Sequence, residues 1–164
     1  MRRLIRKTLV GVAAVVITYA AICYPLYFAG YRLYRVPTEG MQPTIRKNEK
    51  VFGRLVNGYG RHVHRFEIVV IVQPNAPQSV LAKRVIGLPG EHVTVDWQGV
   101  RIDGRQLNLP SSMDLSGLIL RPCDVQIGSD AIFVLGDNLR NSLDSRYFGS
   151  IPISSVLGYI VFKK

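Results

Sequence analysis

From Thr8 to Tyr31 the chain carries no aspartate, glutamate, lysine or arginine. A run of this length spans the hydrocarbon core of a bilayer when wound into a helix. Lipid offers no partner to peptide groups, so the run must satisfy its own backbone as a helix, and the rest of the chain must build its fold outside. Arg2, Arg3, Arg6 and Lys7 precede it, and Tyr31 and Tyr34 follow it. Arg32 and Arg35 add charge at the far end, but the N-terminal cluster is denser and sets the orientation. The expectation is a cytoplasmic basic tail over 1–7, a transmembrane helix over 8–31 and an extracytoplasmic β-domain over 32–164. This would be a single-pass protein of the cell (inner) membrane, with a periplasmic domain. Tyr31 and Tyr34 would anchor the outer interface, and Pro25 would kink the helix near its outer end. The uncharged run is longer than the core of a cleaved signal peptide, which favours an uncleaved anchor.

The 21 Lys and Arg residues against 11 Asp and Glu leave a net charge of +10. No helical stripe of basic residues and no recognition motif accompanies that charge, so nucleic acid is not the expected partner. With a membrane segment present, the lipid bilayer and its anionic headgroups are. Cys23 lies within the apolar run and is not expected to bridge Cys123. His62 and His64 have metal-ligand spacing but no third ligand nearby, so exposed histidines are favoured over a metal site.

Beyond the anchor the pattern is β. Lys50–Val56 is a short strand, and Asn57–Gly60 has turn chemistry. Ile68–Val72 is a continuous β-branched run, as a strand buried on both faces requires, and Gln73–Pro77 ends it. Val80–Ile86 is the next strand. His92–Trp97 and Val100–Ile102 form a hairpin about Gln98-Gly99. Asn108–Gly128 is polar and interrupted. Ala131–Leu135 and Leu157–Phe162 complete the set, and no amphipathic helix of ordinary length follows Tyr34. The exported part is expected to be mostly β, with short strands closing on one core.

Three stretches carry the chemistry. Pro37-Thr38-Glu39-Gly40-Met41-Gln42-Pro43-Thr44 cannot be helical, because two prolines and a glycine fix an irregular, extended backbone. In Leu81-Ala82-Lys83-Arg84-Val85 the side chains alternate, so Lys83 shares a face with Leu81 and Val85 while Arg84 points away. A lysine between two aliphatics loses hydration and with it some basicity, and a neutral amine can act as a general base. A lysine that snorkels its amine to water is the competing reading, and strand pattern alone favours it. Asp137-Asn138 and Ser142-Leu143-Asp144-Ser145-Arg146 lie in a loop whose Asp, Asn and Ser side chains would cap their own backbone.

Taken together these stretches resemble the boxes of the signal peptidase I family of membrane-bound serine proteases. The first is similar to the nucleophile box Pro-Ser-x-Ser-Met-x-Pro-Thr. Lys83 to Glu91 resembles the lysine box Lys-Arg-x-x-Gly-x-Pro-Gly-Asp, with Glu91 in place of the aspartate. Gly136 to Gly149 is similar to Gly-Asp-Asn-x-x-x-Ser-x-Asp-Ser-Arg-x-x-Gly. The order of the boxes is the family's. The resemblance implies one transmembrane helix followed by a compact antiparallel β-domain of the signal-peptidase type. It implies a Ser/Lys endopeptidase that cuts exported precursors after small residues and needs no metal or cofactor. The short stretch between the second and third boxes is similar to minimal members, including the conjugative-transfer branch that matures pilin precursors, so secretion or pilus machinery is a possible partner.

By the same resemblance Lys83 is the general base and Ser142 orients its amine. Asp144 and Arg146 form a supporting ion pair, with Asp137 in the same loop. Thr38 and the residue 40 N–H form the oxyanion hole. Met41 would lie against the substrate side chain before the cut, or pack against the core. The nucleophile's place is held by Gly40, which has no side chain. Three accounts stay open: a deliberate serine-to-glycine change in a processing protease, a natural relative that binds precursors without cutting, and a displaced nucleophile, with Thr38 the nearest hydroxyl. A membrane-anchored scaffold of a secretion or conjugation complex is the alternative of a different class.

Overall fold

A computed structural model describes residues 2–56 and 63–163 of the chain. The first element is helix α1 (Arg2–Phe28). Its stretch Lys7–Pro25 has a mean hydropathy of 1.8 and none of it is buried by protein. Among the described residues it is the one helix long and apolar enough to cross a membrane. Pro25 lies inside it, near its end. The helix stops short of Tyr31 because Gly30 adopts a left-handed φ of 80° and turns the chain.

Tyr31 and Tyr34, expected near the outer interface, lie in β1 (Tyr31–Val36). The reason is pairing: β2 (Glu49–Leu55) runs antiparallel alongside, with Tyr31 opposite Arg54 and Val36 opposite Glu49. Tyr34 lies across the strand pair, and its ring would come within 2.8 Å of a Cβ at Gly53, so position 53 must lack a side chain. The turn expected at Asn57–Gly60, like His62, lies outside the described residues, and His64 is exposed.

The other strands are β3 (Ile68–Gln73), β4 (Ala76–Gly87), β5 (His92–Asp96), β6 (Gly99–Ile102), β7 (Arg105–Gln106), β8 (Cys123–Gln126), β9 (Ala131–Leu135), β10 (Ile151–Pro152) and β11 (Val156–Lys163). Among the described residues they form a seven-stranded sheet ordered β1-β2-β11-β3-β4-β9-β10 and a four-stranded sheet ordered β7-β6-β5-β8. All the paired strands within these sheets run antiparallel. β4 begins earlier than the sequence pattern indicated. Asn75, at a φ of 64°, makes the β3–β4 turn tight enough for Gln73 to pair with Ala76. Pro77 is tolerated because β9 pairs only with the stretch from Arg84 to Gly87, leaving β4 unpaired on that side at residue 77.

The expected single core is three clusters, because β9 and β4 are buried on both faces. Phe133 and Leu135 pack towards the small sheet with Val93, Val95 and Val100. Ile132 and Val134 pack the other way with Val69, Leu81 and Val85. Val36, Met41, Ile45, Val51 and Ala82 form the third cluster, beneath the first box. The unassigned stretch resolves into a 3-10 helix, Leu115–Leu120, and β8. Asp114 caps that helix by accepting from the Ser116 N–H at 3.0 Å. Cys23 on α1 and Cys123 on β8 are both unpaired.

Candidate active site

β4 delivers Lys83 to the centre of the large sheet, where the side chain is only 2% exposed. Its amine donates to Ser142 Oγ at 3.1 Å. Burial lowers its pKa from 10.5 to about 8; against that, Asp144 raises it, Arg146 lowers it further and Asp137 raises it. The two carboxylates raise the pKa by less than burial lowers it, and each is already bound by an arginine. Arg84 takes Asp137 through Nε at 2.7 Å and Nη2 at 2.5 Å. Arg146 takes Asp144 through Nε at 2.8 Å and Nη2 at 3.0 Å. These are two-point, charge-assisted contacts. Both aspartates have no exposed surface.

Asp144 has further duties. It accepts from the Gly136 N–H at 3.1 Å and from the Arg146 N–H, capping the short helix α2 (Ser145–Phe148). Arg146 reaches on to the carbonyls of Gly117 and Leu139, which locks the 3-10 helix to the loop that carries Ser142. A Cβ at Gly136 would meet Ser142 Oγ at 2.1 Å and the Gly40 carbonyl at 2.3 Å, so only glycine lets these stretches close.

The first box packs over this floor. The Gly40 carbonyl accepts from the Asn138 N–H at 3.1 Å, and the Glu39 carbonyl from the Asn138 side chain at 3.3 Å. Thr44 donates to Asp137 and completes that carboxylate's partners. A Cβ built on Gly40 would lie 2.9 Å from Lys83 Nζ, 3.4 Å from the Asn141 carbonyl and 3.5 Å from Ser142 Oγ. Gly40 is not among the positive-φ residues, so its backbone does not demand glycine. The tightest of these neighbours is the mobile end of a lysine. A serine would fit there after a small shift of the amine.

A cleft of about 350 Å³ opens onto this point, lined by Pro37, Thr38, Glu39, Gly40, Lys47, Leu81, Lys83, Asn141 and Leu143. The structure therefore brings Gly40, Lys83 and Ser142 together and places Thr38 on the same cleft. Met41 is a correction. It is fully buried, packs with Val36, Ile45, Val51 and Ala82, and lines no part of the cleft, so it serves as core rather than as a substrate contact. The residues that face the cleft at this end are instead Glu39, Leu81, Asn141 and Leu143.

Sequence reasoning gave no role to Arg84, Thr44, Asn138 or Arg65. The strand period offered one signal, since an arginine pointing inward opposite Lys83 needs a buried acid. Glu91 differs in a similar way. Its carboxylate accepts from the Leu88 N–H at 2.7 Å and pairs with Arg65 at 2.5 Å, a reach that the longer side chain permits.

The model of the family described as signal peptidase, peptidase S26, matches residues 5–163. The chain is 32% identical over 132 residues to a probable signal peptidase I-2 of Synechocystis sp., covering 75% of this chain and 58% of that protein. It is 31% identical over 128 residues to the mitochondrial inner membrane protease subunit 1 of Mus musculus, covering 75% of this chain and 63% of that one. The chain thus spans about three fifths of the length of these curated relatives. A crystal structure of a signal peptidase I from Enterococcus faecalis superposes with a TM-score of 0.51 at 29% identity, over 60% of this chain and 97% of that one.

Proposed function

The chain belongs to the signal peptidase family, peptidase S26, and from that membership we propose that its cleft receives exported precursor proteins at a membrane surface. In this reading α1 spans the bilayer with its N-terminus cytoplasmic, and residues 32–164 form the extracytoplasmic domain. Lys83 is the general base of a Ser/Lys dyad, and Ser142 orients it. The residue 40 N–H and the Thr38 hydroxyl receive the oxyanion. Asp137, Asp144 and Arg146 hold the loop. Position 40 is the nucleophile's place, and with glycine there the chain binds precursors without forming an acyl-enzyme.

The observation that carries this reading is the 2.9 Å between a Cβ at residue 40 and Lys83 Nζ. A serine hydroxyl added one bond beyond that Cβ falls within reach of a neutral amine. The amine would take its proton, the oxygen would attack the scissile carbonyl, and water would release the acyl group. Without the attacking oxygen, oxyanion stabilisation and binding leave about 10³–10⁴-fold over water. That is far below a working hydrolase.

The test is Gly40→Ser in the full chain, reconstituted in detergent with a panel of signal-peptide and pilin precursors. Cleavage after small residues is expected, rising as pH passes through about 8 and the amine loses its proton. Lys83→Ala in that background should abolish it. A serine form that cuts none of the panel would leave the scaffold reading instead. Thr38→Ala in the unmodified chain addresses a displaced nucleophile: slow cleavage that survives the change excludes Thr38.

A further inference from the structure

The dyad scheme uses the Lys83 nitrogen only to move protons, yet in this chain that nitrogen borders the space a serine oxygen would take. Its Nζ lies 2.9 Å from the Cβ position of residue 40, and Lys83 lines the cleft beside Gly40. Its hydrogen bond goes to Ser142 Oγ at 3.1 Å. The neighbouring carboxylates are bound to Arg84 and Arg146, so among the described residues no ion pair holds it as an ammonium. A neutral amine that donates to Ser142 keeps its lone pair free for an electrophile.

We propose that Lys83 is itself a nucleophile in this chain, accepting the acyl group of a thioester or similarly activated donor that carries a small residue at the acyl carbon. The expectation of a small residue rests on the cleft being the precursor site proposed above. The amine nitrogen attacks the acyl carbon, with the oxyanion directed to the Gly40 N–H and the Thr38 hydroxyl. The carbon–sulfur bond breaks as the carbon–nitrogen bond forms, and the nitrogen's proton leaves with the thiolate as a thiol. The product is an amide on Lys83. It is uncharged, so acylation removes the cost of keeping an ammonium in a buried site. A desolvated lysine next to a cationic group is an established route to an activated amine. Here burial and Arg146 both act in that direction. An ordinary peptide bond is not expected to react, because its leaving amine is a far poorer leaving group than a thiolate.

The experiment exposes the full chain, in detergent micelles at pH 8, to an N-acetylalanyl thioester, followed by peptide mass mapping. Lys47 and Lys50, both exposed, serve as internal references. Lys83 should gain the acetylalanyl mass about tenfold faster than either despite its burial, because a larger share of it is neutral. In urea the three lysines should react alike. Native labelling of Lys47 and Lys50 that leaves Lys83 unmodified, or no faster than they are, overturns the proposal. Running Gly40→Ser beside it separates the two readings. Precursor cleavage by the serine form with Lys83 unlabelled in the glycine form sinks this inference alone. Rapid labelling of Lys83 with no cleavage by the serine form sinks the proposed function alone.

Discussion

The arginine–carboxylate pairs beneath the cleft and those around the small sheet use the same chemistry in two settings. Asp137 and Asp144 have no exposed surface, and their arginines are 10% and 1% exposed. Arg65–Glu91 and Arg101–Asp96 keep about a fifth to a quarter of each side chain in contact with solvent. Lys47–Glu39, at the cleft rim, is mostly wet. A buried pair is costly to assemble and contributes little net stability over an apolar replacement. Its use here is positional: Asp144–Arg146 ties the loop of Ser142 to the 3-10 helix, and Asp137 joins Arg84 to Thr44. Of the partly exposed pairs, Arg101–Asp96 spans the β5–β6 hairpin and Arg65–Glu91 ties the stretch before β3 to the turn before β5. The difference teaches that charge pairing beneath the cleft is buried and fixes the loops around Lys83 and Ser142, while farther away it is partly exposed and ties strands and turns at the surface.

The sharpest way to break this comparison is Asp144→Ala. It strands the buried Arg146 charge and the Gly136 N–H, and should cost about 3–5 kcal/mol in denaturant unfolding. A loss under about 1 kcal/mol would place this pair with the surface ones. Lys83→Met comes next and has the opposite sign. The folded-state pKa is about 8 against 10.5 for an ordinary lysine. Below pH 8 both states hold the proton, and the folded state bears the full cost of burying it. Between 8 and 10.5 the unfolded state holds more protons, so wild-type stability rises with pH. Lys83→Met should therefore be more stable by about 2–3 kcal/mol at pH 7, with the gain gone by about pH 10.5. Unfolding titrations at several pH values check this, and a gain that does not change with pH refutes it.

Glu91→Gln gives a smaller effect. It keeps the turn but weakens the Arg65 contact, for an expected loss of about 1–2 kcal/mol in thermal or denaturant unfolding. Lys47→Ala should change stability by under about 0.5 kcal/mol, since the pair it removes is exposed and screened. A larger loss there would mean that the Glu39–Lys47 contact closes the cleft wall.

Much of this was legible in residue order. The strands at Ile68–Val72 and Ala131–Leu135 were marked by unbroken β-branched and aliphatic runs, which need burial on two faces. The approach of Gly40 to Lys83 followed from the likeness of the boxes, whereas Lys83's own strand pattern favoured a snorkelling lysine. Other features gave no local signal. Tyr31 and Tyr34 give no local signal of a strand, because aromatics suit an interface as well as a sheet, and only pairing with β2 shows that β1 starts where the apolar run ends. Met41 was open to two uses, a substrate contact or core packing, because an apolar residue in a polar turn suits either. The packing of Val36, Ile45 and Ala82 around it selects one.

By itself the amino-acid order determined a membrane-length apolar helix, a β-rich remainder and a glycine at position 40, since hydropathy, side-chain period and residue identity are local properties. Only the tertiary structure decided that Lys83 loses basicity, because burial lowers its pKa to about 8 and the acids nearby are bound to Arg84 and Arg146. Which side chains bury it depends on strands and loops distant in the chain.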